Sequence, residues 1–302
     1  VSDFLSRNIP QASVPATLVN PRTLVIYTDL KAGKSTISAW LSRNRRAVWA
    51  DTENGSGGMP GRAVNIVERA AVEKLNKVDF YQRLCAELAA EQPAICDYFV
   101  TDKVDQLETW AEGWATADYK RTVLGKDFKG SSISEVPYVG WSLWHEKFLA
   151  LWNAAKSAAP YAIFFGSLKQ GGSDKFGKHD AAKAGLACSF DLDLGTRQRK
   201  TAVGDSDATA LMWREPDGSN WLSFASREQG AFTGCRVPRL EGSRFRFSWI
   251  KSYGCCQAEW APGDYPRHLA DKHQGTKPAD LQVNIEVAWN QLYVEDEKGV
   301  PK

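Results

Sequence analysis

No stretch of this chain is apolar for long enough to span a membrane, and its first residues show no signal-peptide core. A cytoplasmic protein without a membrane partner is therefore expected. The six cysteines, Cys85, Cys96, Cys188, Cys235, Cys255 and Cys256, show no C-x-x-C spacing and no paired framework. They read as reduced, mostly buried thiols. The four histidines are scattered, and His268 and His273 have no cysteine partner at zinc spacing, which argues against a zinc site there. There is no internal repeat. Nor is there a large charge imbalance: the net charge of +2 neither demands nor excludes nucleic acid, so only local patches bear on that question.

What remains is the composition of an ordinary globular protein, 43% apolar and 25% charged over 302 residues. That length suits one large domain or two small ones. Twelve tryptophans is a high count, and most are expected to anchor the core.

The most informative stretch is Leu24 to Thr36. Leu24 to Tyr27 is a short apolar run with β-branched and aromatic members, which reads as a buried strand. A helical pattern starts at Lys34. Between them lies Lys31-Ala32-Gly33-Lys34-Ser35-Thr36, the Gly-Lys-Ser/Thr end of a phosphate-binding loop. The chemistry asks for these residue types. Gly33 lets backbone N–H groups close around a phosphate, Lys34 brings a cation to the terminal phosphates, and the Ser35 hydroxyl can ligate Mg²⁺. The motif also asks for glycine five residues before Gly33, and Thr28 stands there instead. A plain strand–loop–helix connection that contains Gly-Lys-Ser is the alternative.

Further along, Ala47 to Ala50 reads as a second buried strand running into Asp51-Thr52-Glu53-Asn54-Gly55. Carboxylates at the C-terminal end of a buried strand are where parallel α/β sheets place their chemistry. Residues 66–92 suggest one or two helices. Tyr98-Phe99-Val100-Thr101-Asp102 is an apolar strand ending in aspartate, the pattern that holds Mg²⁺ beside a phosphate loop, although strand-end aspartates also cap helices. Residues 105–118 and 141–155 carry helical apolar stripes, and their tryptophans are expected to pack on the sheet.

Two segments are rich in lysine and glycine. Residues 119–140 read as a basic, flexible insertion with Lys126 and Lys129. The strand Tyr161 to Phe165 leads through Ser167 to Lys169, Lys175, Lys178 and Lys183, with Phe176 and His179 among them. Basic residues with an interleaved aromatic suit single-stranded nucleic acid; a solvated surface loop is the alternative. In the last third, Ala208 to Arg214 and Asn220 to Ala225 read as a hairpin around Glu215 to Ser219, and Arg244 to Ile250 as a half-exposed strand. Residues 283–294 read as one last ordered segment, a strand ending at Leu292-Tyr293-Val294.

These stretches, together with Asp191 to Leu194, Asp205 to Ala208, Gly234-Cys235-Arg236 and Leu240-Glu241-Gly242, resemble the phage-encoded RecA-like nucleotide-binding ATPases, single-domain relatives of the RecA-type recombinases. The resemblance covers residues 22–250. It implies an α/β fold, a RecA-like P-loop core with a mostly parallel central sheet and antiparallel strands in the C-terminal third. Residues 1–21 would be an extended lead-in and residues 251–302 a C-terminal extension. It implies ATP and Mg²⁺ as ligands, with Lys31 to Thr36 on the phosphates and Ser35 and Asp102 on the metal. Glu53 falls at the carboxylate that activates the attacking water, with Lys34 as the catalytic cation. Ser167 falls at the polar residue that senses the γ-phosphate, where the family usually carries histidine. Lys126, Lys129, Lys169, Lys175, Lys178 and Lys183 fall on DNA-contacting loops. Arg236 or Arg239 is placed to act as an arginine finger or to form a structural salt bridge. The implied partners are single-stranded DNA, further copies of the chain and a single-strand-DNA-binding protein. Slow ATP hydrolysis in recombination or replication is the leading expectation. A catalytically decayed adaptor is the first alternative. The second is a small-molecule kinase, for which only Arg197 and Arg199 could serve as a lid.

Overall fold

Every residue of strand β1 (Thr23–Thr28) is buried. Its side chains alternate between two cores, with Leu24 and Ile26 entering one and Val25 and Tyr27 the other. A strand covered on both faces belongs in the centre of a sheet. This also explains why it reads as an unbroken apolar run. The computed structural model describes residues 15–28, 32–56, 61–171, 189–214, 220–225, 233–246 and 278–301.

The other strands are β2 (Ala47–Asp51), β3 (Ala63–Asn65), β4 (Tyr98–Asp102), β5 (Tyr161–Gly171), β6 (Ser189–Leu192), β7 (Ala208–Arg214), β8 (Asn220–Ser223), β9 (Gly234–Cys235) and β10 (Arg244–Arg246). They form one sheet in the order β10-β8-β7-β1-β5-β4-β2-β3, with β6 on β5 and β9 on β7. The centre is parallel: β1 pairs with β5 and β7, β4 with β5 and β2, and β2 with β3. Strands β8 and β10 extend it antiparallel in the C-terminal third. The fold is thus the mixed α/β architecture expected above.

Seven α-helices lie among the described residues: α1 (Lys34–Asn44), α2 (Ile66–Val72), α3 (Lys77–Ala90), α4 (Val104–Lys120), α5 (Val139–Ser157), α6 (Thr196–Gly204) and α7 (Pro278–Leu292). Helices α1 and α7 cover one face of the sheet through Ile37, Trp40, Ile285 and Trp289. Helices α3, α4 and α5 cover the other through Tyr81, Leu107, Trp110, Phe148 and Trp152. The tryptophans at 110 and 152 therefore pack as expected.

Two expectations are corrected. Residues 283–294 are not a strand; most of them belong to α7. Val283, Ile285 and Val287 alternate with polar residues and imitate a strand, but Ile285, Ala288, Trp289 and Leu292 also stand at helical spacing. The helical set is the buried one, while Val287 is 50% exposed. The second correction concerns residues 119–140, which close on themselves in specific contacts. Tyr119 packs edge-on against Phe128 at 5.5 Å, Ser132 caps a short 3₁₀ turn at Ile133–Glu135, and Ile133 is fully buried. One apolar plug and one capping box are enough to order a segment whose composition alone reads as loop.

The chain after α7 is latched to the core. Arg45 Nε meets Glu295 at 2.8 Å, and Glu295 also accepts from the Tyr98 hydroxyl and from Trp289 Nε1. Trp289 stacks on Tyr293 at 4.8 Å and meets Tyr98 edge-on at 5.4 Å. Trp289→Ala removes the centre of this cluster and is expected to cost about 3–5 kcal/mol in urea unfolding. A change near zero would show that α7 contributes nothing to the core.

Candidate active site

The parallel order places the ends of β1, β5, β4 and β2 side by side along the carboxyl edge of the sheet, the position parallel sheets offer to ligands. In register, Thr28 lies beside Ser167, and Asp51 beside Asp102. The departure at Thr28 has a simple structural reading. Thr28 completes β1 as an ordinary strand residue, and its hydroxyl donates to the Gly166 carbonyl at 3.1 Å. No glycine is required at that backbone.

Gly33 is the left-handed residue of the motif, with φ 102° and ψ 18°, and it stands at the N-cap of α1. A side chain there would be strained, which is the reason for glycine. Its carbonyl accepts from Ile37 N at 3.0 Å and so starts the helix. The carbonyl of Ala32 accepts from Nδ2 of Asn220, a fully buried side chain on β8. The antiparallel part of the sheet thus braces the loop. Lys31 lies outside the described residues.

Four of the expected residues converge here. Ser35 Oγ donates to Asp102 Oδ2 at 2.9 Å. Lys34 Nζ lies 3.3 Å from Glu53 Oε2 and 3.7 Å from Asp102 Oδ1. Asp102 is 3% exposed, and among the described residues its Oδ1 has no hydrogen-bond partner. Burial pushes its carboxyl up to about 6, against the opposing pull of Lys34 and Ser35. A buried carboxylate oxygen without a hydrogen bond, beside a serine hydroxyl and a lysine, suits a hard cation carrying phosphate. Among the described residues no three His, Cys, Asp or Glu side chains could hold a metal by themselves. An ion here would take Asp102 and Ser35, with phosphate and water oxygens for the rest.

Glu53 is placed by its neighbours. Asp51, 2% exposed, accepts from the backbone N–H of Glu53 at 3.1 Å and of Ser56 at 2.8 Å. Thr52 N donates to the Asp102 carbonyl at 2.9 Å, and the Thr52 hydroxyl exchanges hydrogen bonds with the backbone of Lys103. The turn bearing Glu53 is therefore locked to the end of β4. The Asp102–Lys103 peptide is cis.

Sequence reasoning passed over Lys103. Its ammonium lies 2.9 Å from Glu53 Oε1, 3.0 Å from Ser167 Oγ and 3.3 Å from Asp105 Oδ2. Burial works to lower its pKa, but Glu53 and Asp105 outweigh burial and hold it above the ordinary lysine value. Asp105 in turn accepts from the backbone N–H of Ser167. Ser167 thus reaches Glu53 only through Lys103. The signal was present in the sequence, since Lys103 directly follows Asp102. Asn220 left no such signal, because it acts 188 residues away from Ala32.

The remaining expected residues are not gathered here. Arg239 is used internally: its guanidinium donates to the carbonyls of Val19, Gln291 and Leu292 and to Asn20 Oδ1. Arg236 donates to the Gly204 carbonyl at 2.7 Å. Lys126 and Lys129 are exposed in the α4–α5 connection. Lys169 lies in β5, whereas Lys175, Lys178 and Lys183 lie outside the described residues. Among the described residues no helix is long and apolar enough to cross a membrane.

No family model matches this chain, and no curated protein does. Among solved structures it is similar to the crystal structure of the RadB recombinase, at 12% identity over 75% of this chain and 87% of that one, with a TM-score of 0.35. A likeness at that level carries no functional weight.

The raised carboxyl of Asp102 has a consequence for stability. Between its ordinary value of 3.8 and about 6, the folded chain holds more of this proton than the unfolded chain does. Its contribution to stability therefore falls as pH rises through that window. Asp102→Asn removes the slope. In urea unfolding with EDTA present, the variant is expected to gain on wild type as pH goes from about 4 to about 7. A difference independent of pH would show that the carboxyl is not so perturbed.

Proposed function

We propose that this protein binds ATP with Mg²⁺ at the carboxyl edge of its sheet and hydrolyses it slowly, acting on single-stranded DNA in recombination or replication. The observation that carries the reading is the meeting of Lys34, Ser35, Glu53 and Asp102 around the left-handed Gly33. Lys34 and the N-terminus of α1 attract the phosphates. Ser35 and Asp102 would hold the Mg²⁺, which would neutralise phosphate charge. Glu53, on a rigid turn and 34% exposed in its side chain, is available to accept a proton from an attacking water. Lys103 keeps that carboxylate oriented and ties it to Ser167, where the pairing of β5 with β1 ends. Supplied by Lys103, a charge sits where the family's usual histidine is missing. The resemblance of the sequence to phage-encoded RecA-like ATPases supports the DNA partner and assembly into homo-oligomers.

A specific observation also favours the decayed adaptor. Glu53 is held between two lysines, Lys34 and Lys103, which engage both of its oxygens. An adaptor would keep that clasp with nucleotide bound, whereas an ATPase must release it. The kinase reading has less support, because Arg197 and Arg199 lie within helix α6.

Two variants separate these readings. Lys34→Ala is expected to abolish ATP binding. Glu53→Gln is expected to keep ATP affinity within about twofold while losing at least about a hundredfold in hydrolysis. Steady-state turnover with and without single-stranded DNA is the measurement. Wild-type turnover in Glu53→Gln would remove Glu53 from the chemistry, and tight binding without any wild-type turnover would establish the adaptor.

A further inference from the structure

On the side of the molecule formed by the starts of α5 and α6 lies an open groove of about 570 Å³, lined by Tyr138, Trp141, Trp144, Arg197, Gln198 and Lys200 among others. We propose that it is a stacking site for the bases of single-stranded nucleic acid, with Arg197 and Lys200 on the phosphates. The inference rests on the reading of the protein as one that acts on single-stranded DNA. It assigns that role to residues outside the lysine-rich loops.

Three observations carry it. First, large aromatic faces are left open to solvent. Tyr138 is 81% exposed and Trp141 48%, and their ring centroids lie 6.1 Å apart. Their neighbours Trp110 and Trp152, on the same helical layer, are buried. Second, the polar ends of the indoles are already used. Trp141 Nε1 donates to the Ser134 carbonyl and Trp144 Nε1 to the Glu108 carbonyl, each at 3.1 Å. Those bonds fix the orientation of both rings and leave apolar face, not a donor, to meet a ligand. Third, the backbone is strained to present Tyr138. Its φ of 59° and ψ of −67°, with Val139 N donating to the Pro137 carbonyl at 2.7 Å, form a γ-turn of the rare, strained hand. Tyrosine has no intrinsic reason to hold that conformation, and strain of this kind gathers at functional sites.

The cations select the ligand. An aromatic floor alone would suit many apolar partners. Exposed Arg197 and Lys200 on the facing helix add two positive charges, and among the described residues one Arg197 nitrogen is engaged, at 3.2 Å from Ser142 Oγ. Aromatic faces with adjacent cations are what a base and its phosphate require together. At the N-terminus of α6, Glu108 Oε1 accepts from Gly195 N at 2.8 Å and places a carboxylate there. The phosphates are therefore assigned to the cationic side chains.

The test is fluorescence anisotropy of a labelled oligothymidylate with the full chain, with ATP affinity measured on each preparation. Trp141→Ala and Tyr138→Ala are each expected to weaken oligonucleotide binding about tenfold, and Trp141→Phe to restore most of it. Arg197→Ala with Lys200→Ala is expected to make binding less steeply dependent on salt. ATP affinity should not change in any of them, since none touches the phosphate loop. If wild type binds the oligonucleotide and both aromatic variants bind it equally well, the groove is not the site, and the single-stranded DNA reading survives without it. If wild type binds no oligonucleotide, both fall. Should Trp141→Ala also lose ATP binding through misfolding, the exposed Tyr138→Ala and the double charge variant decide the matter by the same criteria.

Discussion

Asp102 brings a carboxylate to a place where it is 3% exposed and, among the described residues, one of its oxygens has no hydrogen bond. Burial of that kind opposes ionisation, and Lys34 and Ser35 offset it only in part. A core built for stability alone would be better served by an apolar residue or by a fully bonded amide. The fold around it has the form such a site demands. The ends of β1, β5, β4 and β2 meet at one edge, a left-handed glycine turns the chain into α1, and Asn220 braces the loop from the antiparallel side. A cation carrying phosphate would supply what the protein withholds from Asp102.

The same edge carries a chain of charge that runs from Lys34 through Glu53 and Lys103 to Ser167 and Asp105, with heavy-atom separations between 2.9 and 3.3 Å. It crosses from the end of β2 to the end of β5. On the proposed reading, anything that shifts the end of β5 moves Lys103 and therefore the carboxylate facing the nucleotide. Strand β5 runs on to Gly171, toward the lysine-rich stretch read from the sequence as DNA-contacting. On that reading β5 would couple the nucleotide to the lysine-rich residues that follow it in the sequence, without a charged residue at position 167. The aromatic groove at the starts of α5 and α6 would lie outside that route and add base stacking to it.

Much of the architecture was legible because the sheet is parallel and buried on both faces. Its strands stand out as apolar runs leading into Thr28, Asp51, Asp102 and Ser167, the residues around which the candidate site is built. Residues 283–294 were misread because one stretch satisfies two periods at once; only the packing of Trp289 against Tyr98 and Tyr293 selects the helix. Residues 119–140 were misread because composition does not reveal that Ile133 is a plug. In the site, Lys103 was legible in principle from its place after Asp102. Asn220 was not, since a contact spanning 188 residues has no local trace. Thr28 looked like a defect only because the motif was read as a string; in the structure it is the last rung of β1.

The most direct test of the account is calorimetric titration of ATP into the wild-type protein, once with Mg²⁺ and once with EDTA. The account predicts saturable binding at one site that is at least about tenfold tighter with Mg²⁺, because the ion satisfies the open oxygen of Asp102. Binding indifferent to Mg²⁺, or no binding at all, would contradict it and would leave the carboxyl edge of this sheet without the role assigned to it.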